Sequence, residues 1–352
     1  MEIQRRRIGL SDVYVHPMGM GCWSYGGGDY WGAQSQRDVN EIVDLALDRG
    51  MNLFDTAEAY NDGGSEKSLG LALKGKRGKA VVCSKVSPSN ACPDTLRRHC
   101  EDSLQRMGTD YIDIYMLHWP INALAVRHFT DDEELIAAPP SVQQAFGTLA
   151  KLKKEGKIRY IGVSNFGPEQ LREAMGTGAG IVMNEITYNI LSRSIEAEIV
   201  PLCAQNDISV IGSMALQQGL LTGIYKKAED VPPHQAHSRH FAQSRGQNAS
   251  RHFEDGCEPE MFEAIDRLRK LSSELHYSMA ALSIAWVLSK PGIAATLIGS
   301  RNKNELADNI TASEISLDAS IIKEIDDLSL PVLQKLGNNP DYYENSKNSR
   351  IR

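Results

Sequence analysis

The sequence predicts an α/β chain folded as a (β/α)8 (TIM) barrel with an N-terminal hairpin and long loops at its C-terminal face. Three observations carry the prediction. Eight short strand-like runs alternate with amphipathic helical runs. The runs are apolar at both alternating positions, as in AVVCSK and YIDIYMLH, which suits strands covered on both faces. An acid, a phenol, an amine and an imidazole, Asp55, Tyr60, Lys85 and His118, are read as sitting where four successive strand-like runs end. At the carboxyl end of a parallel barrel they would share one pocket. A doubly wound open sheet is the alternative, but it normally has fewer strands and does not explain function at consecutive strand ends.

In chain order, residues 2–15 read as a hairpin plugging the amino-terminal mouth. Strands are expected near 17–21, 51–55, 80–85, 111–118, 157–163, 181–186, 208–213 and 295–299. The first helix opens at Ser35, with Asp38 three residues on as a capping box, and stops at Gly50; Val39, Ile42, Val43 and Ala46 share its apolar face. A later one follows Pro93 and aligns Leu96, Cys100, Leu104 and Met107. The next carries Val142, Ala145, Phe146, Leu149 and Leu152. Further helices fit 167–176, 194–205, 259–275, 278–289, 303–312 and 318–329. Segments 119–139 and 224–257 read as long loops, and two such loops following strands belong to the active face. The expected organisation is one barrel over 1–330 and a polar tail over 331–352.

Composition narrows the function. With 38 basic and 45 acidic residues the net charge is −7, which gives no electrostatic case for nucleic acid or an anionic membrane. The run Arg5-Arg6-Arg7 reads as a solvated face. No apolar stretch approaches the ~20 residues that span a bilayer, and the polar amino terminus is unlike a signal peptide. Six cysteines without C-x-x-C spacing read as reduced thiols of a cytoplasmic protein. The 224–257 loop holds four histidines, but no cysteine or acid at ligand spacing, so no metal is expected. It reads instead as a lid whose Arg239 and Arg245 close over phosphates or an anionic substrate, with Arg127 and His128 facing the same mouth.

Tyr60 is the candidate proton donor. A phenol titrates near ~10, and Lys85 is expected to lower that value, with Asp55 holding the amine charged. Lys85 has a second reading, as the Schiff-base amine of a barrel lyase, which a salt bridge to Asp55 disfavours. His118 would orient a substrate carbonyl as a neutral donor.

These residues stand in strings that resemble the aldo-keto reductase family over nearly the whole chain: FDTAEAYNDGGSEKSLG (54–70), SKV, LHWP, IGVSNF (161–166), ALQQGLLTG (215–223) and IGSRNKNELADN (298–309). The resemblance implies NAD(P)H-dependent carbonyl reduction without a metal. It puts Ser164 and Asn165 on the nicotinamide carboxamide. Gly21, Cys22 and Trp23 join them near the ring, and Leu216, Gln218, Gly219, Leu220 and Thr222 form the pyrophosphate loop. Gly299, Ser300 and Arg301, ahead of a helix, suit a phosphate, with Glu305, Asp308 and Asn309 completing the adenine end. Arg301 argues for the 2′-phosphate of NADPH; Glu305 argues mildly for NADH, which stays admissible.

Two positions depart from the family. Glu185 falls where glutamine is usual, and an ionised carboxylate accepts but cannot donate. Ser213 falls where many members stack an aromatic ring. Trp23, Tyr25, Trp31, Trp119 and Arg127 are the expected substrate contacts, and a sugar-derived carbonyl is among the expected substrates. A non-catalytic dinucleotide-sensing accessory subunit is the remaining alternative. The sequence is compatible with a homo-oligomer.

Overall fold

The structure, a computed structural model, describes residues 3–352. Met1 lies outside them, as does Glu2, the first residue of the predicted hairpin. Eight parallel strands close into a barrel: β3 (Met18–Gly21), β4 (Leu53–Asp55), β5 (Val81–Val86), β6 (Ile112–Leu117), β7 (Ile158–Ser164), β8 (Ile181–Thr187), β9 (Ser209–Ser213) and β10 (Ile293–Ile298), with β10 pairing back onto β3. Closure leaves no strand edge, which removes the usual aggregation liability of a sheet. All eight lie within a few residues of the sequence expectation.

The antiparallel pair β1 (Arg6–Arg7) and β2 (Tyr14–Val15) precedes the barrel. Ile8, Val13 and Val15 from this hairpin pack with Leu53, Val81, Ile114, Met116, Met183, Ile211 and Leu297 in the barrel interior. The hairpin thus plugs one mouth with apolar side chains. Gly9 turns there at φ +45°, with Val182 and Asp207 backbone against it, so both its torsion and its neighbours demand glycine. The expected solvated face of Arg5-Arg6-Arg7 is only partly that. The Arg6 guanidinium donates to the carbonyls of Ile293 (2.8 Å) and Leu288 (3.1 Å), tying the hairpin to the barrel base.

Helices α1 (Gln36–Asp48), α2 (Gly64–Ala72), α3 (Pro93–Met107), α6 (Val142–Lys154), α7 (Pro168–Gly176), α8 (Ile199–Gln205), α10 (Met279–Ser289) and α11 (Lys303–Ile310) alternate with the strands, together with the longer α9 (Glu258–Glu274) and α12 (Ala319–Leu336). In α1 the Ser35 hydroxyl accepts from the Asp38 amide, and Val39, Ile42, Val43 and Ala46 are its buried residues, as the periodicity requires. The larger apolar core lies between these helices and the outer face of the barrel.

Three segments are more ordered than their polar sequence suggested. The 119–139 loop holds two short helices, α4 (Ala123–Val126) and α5 (Glu133–Ala137). Helix α12 continues through Pro331 to Leu336. Beyond it, Tyr342, Tyr343, Arg350 and Ile351 fold back to help line the barrel's open mouth.

Candidate active site

Asp55 ends β4, Lys85 is the fifth residue of β5 and His118 follows β6, so three neighbouring strands deliver them to one end of the barrel. The Lys85 ammonium is fully buried. It donates to both Asp55 carboxylate oxygens (2.7 and 2.6 Å), to the Thr56 carbonyl (3.2 Å) and to the Tyr60 hydroxyl (3.2 Å). Tyr60 reaches it from the turn after β4. There Asn61, Asp62 and Gly63 run through left-handed torsions before α2, a reversal that asparagine, aspartate and glycine tolerate best. Asn61 then anchors the neighbouring loop, donating its amide to the carbonyls of Trp23 (3.0 Å) and Tyr25 (2.8 Å). His118 meets the Tyr60 ring edge-on at 5.5 Å between centroids.

Burial dominates the electrostatics. Desolvation pushes the Tyr60 hydroxyl above its ordinary value; Lys85 pulls it down, while Asp55 and Glu185 push it up. The expected net lowering is therefore corrected: the phenol is a weaker acid than usual, because burial outweighs the pull of the ammonium, and the carboxyls of Asp55 and Glu185 add to it. Burial alone would depress Lys85, yet Asp55, Glu185 and Tyr60 together raise it well above its ordinary value. The amine stays charged and is a poor nucleophile. Burial and then Lys85 hold His118 well below the usual imidazole range, so the ring is neutral at physiological pH, as the sequence suggested.

The tetrad opens into a cavity of about 1510 Å³. That exceeds the few hundred to 1,000 Å³ of ordinary small-molecule pockets. Asp55, Tyr60 and His118 line one part. Gly21, Trp23, Ser164, Asn165, Glu185 and Ser213 line the adjoining wall. Leu216, Gln218, Gly219 and Thr222 follow, and Gly299, Ser300, Arg301, Glu305, Asp308 and Asn309 line the far part. Asn165, at φ +61°, donates its side-chain amide to the His118 carbonyl and the Ser164 hydroxyl (both 3.0 Å). Met214, Gln217, Gln218 and Gly219 all have positive φ, which shapes an irregular loop between β9 and the rest of the wall. The Gln218 amide, Glu185 Oε2 and His118 Nδ1 are buried without a hydrogen-bond partner among the described residues. Each belongs to a residue of this wall, and such orphaned polar atoms fit a polar ligand.

Residues 17–330 match the family described as the Aldo/keto reductase family. The chain belongs to the aldo/keto reductase family. The NADH-specific methylglyoxal reductase of Escherichia coli is 31% identical over 346 residues, covering 90% of this chain and 97% of that protein. Among solved structures, the glycerol dehydrogenase from Gluconobacter oxydans superposes with a TM-score of 0.75 at 27% identity, covering 97% of this chain and 98% of that one. An aldo-keto reductase from Klebsiella pneumoniae in complex with NADPH gives 0.67 at 26% identity, covering 94% and 96%. Aldo/keto reductase membership carries oxidoreductase chemistry, the reduction of carbonyls with a nicotinamide dinucleotide. The barrel-lyase and accessory-subunit readings are not favoured.

Within this aldo/keto reductase barrel, several expected contacts lie elsewhere. Cys22, Tyr25 and Leu220 are buried outside the cavity lining, and Arg127, exposed at the C-terminal end of α4, is outside it too. Trp23, Trp31 and Trp119 do line the cavity, joined by Tyr30, which stacks on Trp23 at 5.1 Å. The Arg301 guanidinium donates to the carbonyls of Trp31 and Ala33. It ties the loop after β3 to the loop after β10, a role beyond the phosphate contact expected of it. Glu305 accepts from the Arg301 backbone amide (2.8 Å) and from Asn302 (2.8 Å), so it closes the start of α11.

The 224–257 segment does not hold its arginines as expected. Arg239 is buried, bonded to Glu254 (2.8 Å) and to the carbonyls of Leu336 (2.8 Å) and Asn339 (3.1 Å). Arg245 bridges Glu258 (2.7 Å) and Glu229 (3.0 Å). Both fasten the segment to α12, the tail and α9 and leave the cavity to others. Arg251, His234 and His237 are the basic residues of this segment that line it. The tail supplies what the sequence reading missed. Arg350 pairs with Asp341 at 2.6 Å and lies 3.7 Å over the Trp119 ring, while Tyr343 stacks on His237 at 5.0 Å. The signal was present in the aromatic pair Tyr342-Tyr343, but nothing local to it says which surface it covers.

Among the described residues no group of three histidine, cysteine or acidic side chains could hold a metal, and no helix is long and apolar enough to cross a membrane.

Proposed function

We propose that the chain reduces a short aldehyde or ketone, with Tyr60 as the proton donor, Lys85 and Asp55 as its electrostatic support, and His118 orienting the carbonyl oxygen. The observation that carries this reading is the Lys85 ammonium held by both oxygens of Asp55 within hydrogen-bond reach of the Tyr60 hydroxyl. A bound nicotinamide dinucleotide would supply the hydride. As the carbonyl carbon is reduced, its oxygen becomes a strong base and takes the Tyr60 proton, leaving a phenolate 3.2 Å from an ammonium. The raised phenol pKa suits this role, because the proton is in place throughout the neutral range and leaves only towards a stronger base. His118, kept neutral, can donate an N–H without adding a charge that would compete with Lys85.

The same reading assigns the ring end of the dinucleotide to Ser164, Asn165, Glu185 and Ser213. It assigns the pyrophosphate to Gln218, Gly219 and Thr222, and the adenosine end to Ser300, Arg301, Asp308 and Asn309. NADPH is the preferred form. The Arg301 guanidinium has carbonyl partners but, among the described residues, no carboxylate within ion-pair distance, so its charge is available to a 2′-phosphate. Glu305 beside it keeps the preference modest, and NADH remains a usable donor.

For the substrate, the wall of Trp23, Tyr30, Trp31 and Trp119 favours a compact organic carbonyl. The unpartnered Tyr30 hydroxyl and Trp31 indole N–H favour one that carries hydroxyl or second carbonyl oxygens. The similarity to a methylglyoxal reductase and a glycerol dehydrogenase points the same way. The test is a panel of methylglyoxal, glyceraldehyde, longer sugar aldehydes and aromatic aldehydes, each with NADPH and with NADH, followed by nicotinamide absorbance. Turnover of the oxygenated short carbonyls above the aromatic ones supports the proposal. No oxidation of either dinucleotide with any carbonyl refutes it.

A further inference from the structure

The floor of the cavity holds two carboxyl groups and one ammonium. Lys85 is spent on Asp55, at 2.6 and 2.7 Å from its two oxygens. Glu185 stands farther away, with Oε1 at 3.5 Å from the same ammonium. Its other oxygen, Oε2, is buried and has no hydrogen-bond partner among the described residues. The side chain is only 6% exposed and belongs to the cavity lining. The groups around it are few. Asp55 on β4, Tyr60 beyond it, and Cys83 and Lys85 on β5 are the titratable groups that interact with it by charge, and His118 after β6 lines the same cavity. Ser164 on β7, the register partner of Glu185, and Ser213 on β9, two residues beyond the other partner, Ile211, carry no charge. Lys85 is the one cation among them. Two buried carboxylates sharing one ammonium cannot both stay ionised without a large cost, since burying an unpaired charge costs several kcal/mol.

From this arrangement we infer that Glu185 carries a proton at neutral pH and presents a carboxylic acid, an O–H donor beside a C=O acceptor, to the carboxamide of the nicotinamide ring. The inference rests on the reading above that a nicotinamide dinucleotide binds here. Glu185 is placed for it: its strand pairs Ser164 with Glu185, and its carbonyl accepts from the Asn165 amide at 2.8 Å. Three of the four residues assigned to the ring end, Ser164, Asn165 and Glu185, thus meet where β7 and β8 pair. Burial, and after it the negative Asp55, push the Glu185 carboxyl well above its ordinary value; Lys85 pulls the other way, and the Asp55 carboxyl lies within hydrogen-bond reach of the same proton. A neutral carboxyl offers the donor and acceptor pair of a primary amide. An ionised one would offer acceptors alone and repel the carboxamide oxygen.

Glu185 is therefore a positioning residue, and its proton makes the hold on the ring pH-dependent. Below its raised pKa the acid donates; as pH rises through that value the donor is lost and dinucleotide binding weakens. The first measurement is infrared spectroscopy of the unaltered protein without dinucleotide at neutral pH. A protonated carboxyl band is expected that moves when the protein is made with isotope-labelled glutamate and vanishes in Glu185→Gln. No such band, or one insensitive to glutamate labelling, overturns the inference whatever binds in the cavity. The second is the dissociation constant for NADPH, read by quenching of tryptophan fluorescence from neutral to alkaline pH. Wild-type affinity should fall on the alkaline side. Glu185→Gln should hold within about twofold across the range, and Glu185→Leu should bind about tenfold more weakly throughout, as expected for losing one hydrogen bond of about 1.4 kcal/mol. Parallel pH curves for wild type and Glu185→Gln overturn the positioning role. Absence of NADPH and NADH binding by the unaltered protein would instead overturn the reductase reading and the positioning role with it, while the infrared band still decides the charge state.

Discussion

The ammonium of Lys85 lies 3.2 Å from the hydroxyl of Tyr60, at the end of a closed parallel barrel. This contact joins a residue on β5 to one in a left-handed turn after β4, and neither is useful alone. The phenol needs a nearby positive charge to become a tolerable leaving base. The amine needs Asp55 to stay charged where no water reaches it. Burial works against both, and it wins for the phenol, which is a weaker acid than usual. On the proposed mechanism the pair favours proton delivery at neutral pH and makes proton removal, needed for alcohol oxidation, an alkaline process. Reduction should persist into mildly alkaline buffer, while oxidation rises with pH across the same range.

Removing the ammonium should cost both activity and stability. Lys85→Met leaves Asp55 and Glu185 as adjacent buried carboxyl groups with no cation. Breaking a buried pair in this way costs about 3–5 kcal/mol. The sign with pH follows from protonation. Burial already holds the Asp55 carboxyl above its ordinary 3.8 despite Lys85, and without Lys85 it rises further. A group whose folded pKa exceeds its unfolded value destabilises at high pH and loses that penalty as pH falls towards the unfolded value. Urea unfolding of Lys85→Met should show the larger deficit at about pH 7.5 and a smaller one at about pH 5.5, on the carboxyl scale of the reference values. An unchanged deficit would mean that the carboxyls are not the source.

Arg301 has two jobs in this account, and one variant separates them. Its guanidinium fastens the Trp31–Ala33 backbone and offers charge to a phosphate. Arg301→Ala should weaken NADPH about thirtyfold and NADH about two- to threefold, since a hydrogen bond to a charged group contributes about 1.5–3 kcal/mol and about 1.4 kcal/mol is tenfold. Fluorescence titration with both dinucleotides reads the difference. Equal losses would leave Arg301 a loop fastener with no part in the 2′-phosphate.

The roof offers a contrast between two arginines of one segment. Arg239 is buried and bonded to Glu254, Leu336 and Asn339. Arg239→Met should lower stability by about 2–3 kcal/mol and leave KM nearly unchanged in the fraction that stays folded. Arg251 is 41% exposed, lines the cavity and pairs with Glu344 at 2.7 Å. Arg251→Met should change stability by less than about 0.5 kcal/mol, as exposed pairs do, and raise the substrate KM several-fold. Thermal unfolding alongside steady-state kinetics distinguishes the two; the reverse pattern would make Arg239 the mouth residue after all.

The barrel and the tetrad were legible because both are written in local pattern. Short runs apolar on both faces, alternating with amphipathic helices, read as covered strands, and reactive side chains at their carboxyl ends converge by topology. What the sequence hid was set by contacts between distant segments. Nothing near Arg239 or Arg245 announces that Glu254 and Glu258 will take their charges. Nothing in a polar tail announces that Arg350 will stack on Trp119, more than two hundred residues away. The sign of the Tyr60 shift was hidden for a related reason. A lysine beside a phenol is visible in the strings, but the depth of burial that outweighs it belongs to the folded state.

The central claim is that Tyr60 hands its proton to the reduced carbonyl. Tyr60→Phe keeps the ring and its stacking on Trp23 and removes only that hydroxyl. The decisive measurement is carbonyl reduction by this variant at saturating NADPH, with the NADPH dissociation constant taken separately by fluorescence. The account predicts that kcat falls by about 10²–10⁴-fold, the scale of a lost general acid, while NADPH binding stays within about twofold. Turnover equal to wild type, with NADPH bound as before, would contradict it.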